Sequence, residues 1–225
     1  MRWQLVARNA AADLELPPVP AAPMVTLTPD QARVLMEAAS GSWLRMLVLL
    51  GLATGARLGE LLALRWSDMD LDAGVARISR SAQVVDGQVR FKQPKTLAGA
   101  RPVALGPTMV AALRRHRADQ LQLRLAFARA YVDEDLVLAK ADGSPYRPDS
   151  VSTMFRKLVD RAGLPREIHV HTLRHSAASF LAAEGVPASD IAAQLGHADG
   201  GPWRSGSMCT RWRRTGAAPA RPSTG

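Results

Sequence analysis

Five side chains in this sequence are of the types that bind and polarise a phosphate group. They are Arg57, Lys95, His171, Arg174 and His197. Arginine can hold two phosphate oxygens at once, and positive donors at the non-bridging oxygens stabilise the charge that develops when a phosphodiester bond breaks. Each of these residues, taken alone, is more often a surface, capping or core residue. Together they predict a site that acts on a phosphodiester.

The short strings around these residues are specific. Arg57 lies in TGARLGE, His171 and Arg174 lie in HTLRH, and His197 closes QLGH, whereas Lys95 lies in the weaker string PKT. In this order and spacing they resemble the tyrosine recombinases, also called phage integrases. The resemblance covers about residues 28–198. It implies site-specific cleavage and rejoining of DNA, as in the integration or excision of a mobile element.

The resemblance also implies a role for each residue. In the family a tyrosine attacks DNA and forms a 3′-phosphotyrosine, which conserves the energy of the bond until the strand is rejoined. Arg57 and Arg174 would hold the non-bridging oxygens, and His171 and His197 would be further donors. Lys95 would protonate the 5′-oxygen that leaves. The implied partner is double-stranded DNA.

Glu60 matches an acidic position that supports the family's site without reacting. No cofactor or metal is implied, although His171 and His175 lie four residues apart with His169 nearby, a spacing that can suit zinc. Arg174 lies between them, and a cation beside a metal is unfavourable. We therefore expect no zinc site.

No tyrosine lies where the family has its nucleophile. The position falls roughly ten residues beyond His197, near Ser207, but the two tyrosines of the chain are Tyr131 and Tyr146, both upstream of His171. No base is apparent beside Ser207. We predict that the chain cannot form the covalent intermediate and is a defective copy of a recombinase.

The codons available to the C-terminal residues suggest a cause. If codon 207 ends in T, the segment after Gly201 can spell Ala-Leu-Ala-Leu-Arg-Val-Tyr-Val-His-Pro when it is read from the third base of each codon. That sequence looks like the family's nucleophile helix. We therefore interpret residues 200–225 as a frameshifted tail.

Two other functions remain open. A non-catalytic accessory protein could use the same cations to occupy recombination sites on DNA. A regulator could use residues around 189–198 as a helix-turn-helix, but this leaves the strings at 54–66 and 94–105 unexplained.

Composition agrees with a nucleic-acid partner. The chain carries 29 basic and 20 acidic residues, a formal charge of +9, which favours a polyanion. Its single cysteine, Cys209, excludes an intramolecular disulfide and fits a reducing cytoplasm. The longest apolar run, from Met46 to Ala53, is too short to span a membrane. The family forms homo-oligomers, tetramers on DNA, which the altered C-terminal segment disfavours here.

The chain divides into three segments. We expect residues 1–24 to be the remnant of a core-binding domain with a proline-rich linker, residues 25–199 to be the catalytic domain, and residues 200–225 to be an irregular tail.

The periodicity predicts an α+β domain, mainly α, with a small antiparallel sheet. Thr28 and Gln31 form a capping box for the first helix. Helices are predicted at about 29–39, 42–53, 57–64, 107–130, 149–162, 172–184 and 188–195. Strands are predicted at 75–79, 88–91, 101–105 and 136–138, the first two as a hairpin around Asp86-Gly87.

Overall fold

The structure is a computed structural model, and it describes residues 24–93 and 100–196. Over these residues the chain forms seven α-helices and five short strands. The helices are α1 (Pro29–Ala38), α2 (Leu44–Thr54), α3 (Leu58–Leu62), α4 (Pro107–Phe127), α5 (Pro148–Arg161), α6 (Val170–Ala183) and α7 (Ala188–Leu195). The strands are β1 (Met69–Asp70), β2 (Val75–Ile78), β3 (Ser81–Val85), β4 (Gln88–Lys92) and β5 (Arg101–Ala104). The predicted class, mainly helical with a small antiparallel sheet, is confirmed.

The helices begin and end close to where the sequence predicts. The capping box of α1 is present: the Thr28 amide donates to Gln31 Oε1 at 3.0 Å, and the Gln31 amide donates to Thr28 Oγ1 at 3.2 Å. Helix α4 ends at Phe127 and is followed by a 3-10 turn at Ala128–Ala130. Local capping and turn chemistry is therefore sufficient to set these boundaries.

The predicted pairing of the hairpin is wrong. Asp86 and Gly87 do form a turn, with positive φ at both residues, but it joins β3 to β4, with Val85 opposite Gln88. Strand β2 instead pairs antiparallel with β1 on one side and β5 on the other. A two-residue turn can only join the residues on either side of it, so the partner of β4 had to be residues 81–85.

The predicted strand at 136–138 is also absent as a strand. The segment makes one antiparallel bridge, between Arg65 and Leu136. Its side chains are nevertheless buried. The apolar pattern therefore reflects a segment of the core rather than a strand paired in a sheet.

Helices α2 and α6 pack closely at the centre of the domain. A β-carbon on Gly51 would lie 2.8 Å from Leu173 Cδ1, so a larger residue would push the helices apart. Leu47, Val48 and Leu50 of α2 are fully buried. The packing brings the C-terminal end of α2, which precedes Arg57, next to the first turns of α6, which carry His171 and Arg174.

Within the two described ranges, none of the helices combines the length and apolar character of a membrane crossing.

Candidate functional site

The turn between α2 and α3 is built to present a carbonyl and an arginine. The Thr54 hydroxyl donates to Leu50 O at 2.7 Å and accepts from the Ala56 amide at 3.2 Å. Gly55 ends α2 with φ of 62°, and a β-carbon there would overlap Leu195 Cδ2 of α7. Only glycine satisfies both requirements. The Gly55 carbonyl consequently points to α6, and Arg57 follows at the start of α3.

The side chain of Arg174 lies against the Gly55 carbonyl. Its Nη1 donates to Gly55 O at 2.7 Å, and the residue is 4% exposed. Its Nη2 is buried and has no hydrogen-bond partner among the residues that the structure describes. Burial, together with the positive charges of Arg57 and Arg101, which outweigh the opposing effect of Glu60, lowers the pKa of Arg174 to about 10. At neutral pH the side chain remains a cation, held where its charge is poorly compensated.

Glu60 joins two arginines. Its carboxylate accepts from the Arg57 amide at 2.9 Å and from Arg57 Nη1 at 3.1 Å. On its other side it accepts from Arg101 Nη2 at 2.8 Å and Nη1 at 3.3 Å. Burial alone would raise the pKa of Glu60, but the bonds and charges of Arg101 and Arg57 outweigh it and hold the pKa below its usual value. The predicted supporting position of Glu60 agrees with these contacts.

Arg101 is a member of this cluster that the sequence prediction missed, because residues 101–105 were assigned only to a strand. Its side chain is buried, and its Nε donates to Gln194 O at 2.7 Å, near the end of α7. The signal that could have found it is an arginine opening an otherwise apolar strand just after the loop of Lys95.

His171 and His175 lie on α6, one turn apart. Their rings meet edge to face with centroids 4.6 Å apart. Burial lowers the pKa of both, and neighbouring charges add to it, among them Arg174 for both residues and Arg57 for His171. In the part of the chain that the structure covers, no group of three histidine, cysteine or acidic residues is placed to hold a metal.

Three predicted positions, Lys95, His197 and Ser207, lie outside the described residues. Both tyrosines are described. Tyr146 stacks on Trp43, with ring centroids 3.8 Å apart, and burial, with the charge of Asp142, raises its pKa to about 12. Tyr131 follows the 3-10 turn after α4, and burial raises its pKa too. A raised pKa disfavours the phenolate, so neither tyrosine is prepared as a nucleophile.

The described part of the site is therefore a cationic cluster, defined as Arg57, Glu60, Arg101, His171 and Arg174. Two of its arginines, Arg57 and Arg101, share the Glu60 carboxylate, and the third, Arg174, is influenced by that charge without a hydrogen bond to it. Such an arrangement stabilises an anion brought to the exposed side of the cluster, where the Arg57 side chain is 49% exposed. A tetrahedral phosphate offers several acceptor oxygens for these donors.

A family model and two relatives match the part of the chain that carries this cluster. The model of the phage integrase family matches residues 25–201. An XerC-like tyrosine recombinase of Caldanaerobacter subterraneus subsp. tengcongensis is 29% identical over 77% of this chain and 47% of its own length. An integrase of Streptomyces ambofaciens is 32% identical over 79% of this chain and 47% of its own length. The chain thus spans less than half the length of these relatives.

Solved structures show the same fold. The Tn1549 transposon integrase, in complex with transposon right end DNA, superposes with a TM-score of 0.70 at 21% identity over 89% of this chain and 64% of that chain. The XerA recombinase gives a TM-score of 0.61 at 25% identity over 95% and 70%. The family model covers most of the chain, and the fold agrees with it. The chain belongs to the phage integrase family, the tyrosine recombinases.

Proposed function

We propose that this chain is the catalytic domain of a site-specific DNA recombinase that binds a phosphodiester of double-stranded DNA without becoming covalently attached to it. The observation that carries the proposal is the buried guanidinium of Arg174, whose Nη2 has no partner among the described residues. A buried donor without an acceptor, and a cation without a counter-ion, both raise the free energy of the unliganded protein. A phosphate oxygen supplies the acceptor and the negative charge together.

The nature of the anion follows from the relatives and from charge. The Tn1549 integrase and a lambda integrase dimer were solved on DNA. This chain carries a net charge of +9, which favours a polyanion over a small free phosphate. We therefore place a DNA backbone phosphate at the cationic cluster, and we place the protein in the cytoplasm, where that DNA is found.

Each site residue has one task in the proposal. Arg57 and Arg174 hold the non-bridging oxygens. His171, whose pKa is lowered in the free protein by burial and nearby charges, donates a hydrogen bond to the phosphate from an imidazole N–H. Lys95 and His197 complete the site as the acid for the leaving oxygen and a further donor, as they do in the family.

The missing step is nucleophilic attack, because no tyrosine follows His197 in the 225 residues. We attribute the loss to a frameshift near Gly200-Gly201. The nucleotide sequence from codon 196 onward tests this: a T at the third base of codon 207, with a shifted frame that stays open, is expected. Any other base at that position contradicts the frameshift.

The match of the family model to residues 25–201 supports residues 25–199 as the catalytic domain. Residues 1–24, as a segment that ends in a proline-rich linker, and residues 200–225, as a replaced segment, remain part of the proposal. A chain of this organisation is expected to bind DNA as a monomer rather than as the tetramer of the family.

The experiment is a titration of a labelled 30-base-pair duplex, followed by fluorescence anisotropy at several salt concentrations. Arg174→Met should lower the affinity about tenfold or more, since hydrogen bonds to charged groups contribute about 1.5–3 kcal/mol. The matched control is Arg33→Met, which removes an exposed arginine of α1 that already pairs with Asp30 and Glu37. The control should change the affinity less than twofold, as expected for an exposed ion pair. Equal losses in the two variants would contradict a phosphate site at Arg174.

A denaturing gel of the protein mixed with nicked duplex tests the absence of attack. No DNA-linked band is expected. A band that survives denaturation would show that another residue attacks, and it would overturn the non-covalent proposal.

The second candidate is the accessory protein that occupies recombination sites, and the absence of the tyrosine favours it. Preference for one duplex sequence at moderate salt would support this function. Binding that depends only on salt and not on sequence would support the defective recombinase.

A further inference from the structure

Arg101 makes more contacts than a strand residue needs. Its guanidinium holds the Glu60 carboxylate with two nitrogens and the Gln194 carbonyl with the third. All three nitrogens of the group are therefore used, and the residue is only 8% exposed. A planar fork held at both ends has a fixed orientation.

The C-terminal end of α7 fixes one side of the Arg101 guanidinium. Gly196, which ends α7 with φ of 70°, lies against Arg101: a β-carbon there would be 2.8 Å from Nη1 and 3.0 Å from Cζ. The Gln194 carbonyl is one of the acceptors that a helix leaves free at its C-terminal end. Packing and a hydrogen bond thus hold the guanidinium in one plane.

The other side of the fork fixes Glu60, and Glu60 fixes Arg57. The same carboxylate oxygens that accept from Arg101 accept from the Arg57 amide and from Arg57 Nη1. The Glu60 side chain is 13% exposed, whereas the Arg57 side chain is 49% exposed. Burial therefore decreases from Arg101, whose orientation is fixed, through Glu60 to Arg57, which is in contact with solvent.

We propose that Arg101 is a positioning residue of the phosphate site, which aligns Arg57 for the DNA phosphate by holding Glu60. The inference rests on the proposed function, because it concerns the same phosphate. Without Arg101 the Glu60 carboxylate has one cation left, and it can draw the Arg57 guanidinium inward, away from DNA. Arg101 leaves Arg57 with spare donors by satisfying the other half of the carboxylate.

The test is a double-mutant cycle on the affinity for the 30-base-pair duplex, with Arg101→Lys and Arg57→Met. Lysine keeps the charge, but a single ammonium cannot reproduce the planar fork that spans Glu60 and Gln194. Arg101→Lys should lower the affinity about tenfold when Arg57 is present, the loss expected for one misplaced charge-assisted contact. In the Arg57→Met background it should lower the affinity less than about twofold, because the residue through which it acts is gone.

A purely structural role would not produce that dependence on Arg57. Equal losses in the two backgrounds, or no loss in the presence of Arg57, would overturn the inference. Arg65→Lys is the matched control, because Arg65 also holds a carboxylate, Asp68, with two nitrogens at 2.9 Å and 3.0 Å. It should leave the affinity within about twofold of the wild type.

If Arg101→Lys does not fold, a second variant tests the positioning role. The double substitution Glu60→Leu with Arg101→Met replaces the buried pair by apolar groups, which usually preserves folding. It should show the same tenfold loss with Arg57 and little loss without it. The Arg174→Met titration separates the two proposals. If Arg174→Met binds the duplex as well as the wild type, the proposed phosphate site is wrong. If Arg174→Met loses affinity tenfold but Arg101→Lys costs the same affinity with and without Arg57, only the positioning role of Arg101 is wrong.

Discussion

Two arginines of the cationic cluster are buried to a similar degree, but they differ in what compensates their charge. Arg101 has the Glu60 carboxylate and a helix-terminal carbonyl. Arg174 has only the Gly55 carbonyl, and its Nη2 is unpaired within the described residues. Among the described residues, the arginine of the cluster at β5 has all its nitrogens paired, and the arginine at α6 does not.

The difference separates support from binding. A fully paired buried cation holds neighbouring groups in place but has no donor left for a ligand. An incompletely paired one destabilises the free protein and is stabilised by an anion. The proposed function needs both kinds, because a phosphate must find open donors that do not move when it arrives.

The largest effect expected from this difference is on folding. Arg101→Met leaves Glu60 buried beside one cation, and we expect it to lower the free energy of unfolding by about 3–5 kcal/mol. Arg174→Met removes an uncompensated charge and one hydrogen bond, so we expect a change within about 1 kcal/mol of the wild type. Urea unfolding followed by circular dichroism measures both. A loss for Arg174→Met as large as that for Arg101→Met would break the comparison.

The next effect concerns the turn that presents the Gly55 carbonyl to Arg174. Gly55→Ala places a β-carbon into Leu195 at positive φ, and such overpacking costs about 1–3 kcal/mol before backbone strain is added. Gly87→Ala is the matched control, because it has the same sign of φ but nothing within 4 Å of a β-carbon. We expect it to cost about 1 kcal/mol. Equal losses would show that Leu195 moves aside and that the turn is not held by α7.

A smaller effect is stabilisation by inorganic phosphate. At a concentration about ten times its dissociation constant, an anion that binds only the folded protein adds about 1.4 kcal/mol. The melting temperature should rise with phosphate relative to chloride at the same ionic strength, and Arg174→Met should remove most of the rise. An unchanged rise in this variant would place the anion elsewhere.

The smallest effect is on pH. The pKa values of His171 and His175 are lowered by burial and by nearby cations, so the unfolded chain binds more protons than the folded chain once the pH falls toward 6.5. Stability should therefore decline as the pH is lowered from 7.5 to about 5. Replacing both histidines by asparagine should flatten the decline of the melting temperature over this range. A wild-type stability that rises over the same range would contradict the direction of these shifts.

The sequence predicted the helices better than the sheet. Capping residues such as Thr28 and stop signals such as Gly55 act within a few positions of the chain, and they mark ends that the structure confirms. Strand pairing depends on contacts between distant segments. Apolar and polar residues alternate only weakly in residues 81–85, so β3 was not predicted. Strand β2 pairs with β5, which lies beyond the hairpin and the following loop, so local patterns could not give the order of the strands.

The site was predictable to the extent that its residues lie in short strings. Arg57, Glu60, His171 and Arg174 were identified in this way, and the structure brings them together. Arg101 was missed because its function depends on Glu60, 41 positions away, and on α7, 93 positions away. A buried arginine is recognised only when its burial and its partners are known.

Arg174 Nη2, which has no partner among the described residues, has a consequence for the history of the gene. A residue that lowers the stability of the free protein is retained by natural selection only while its ligand is bound to some advantage. In a gene released from selection, substitutions at this codon would be neutral or even stabilising, and drift would remove it early. If the chain cannot form the covalent intermediate, as proposed, the presence of Arg174 indicates either that the tyrosine was lost recently or that attachment to DNA is still being selected.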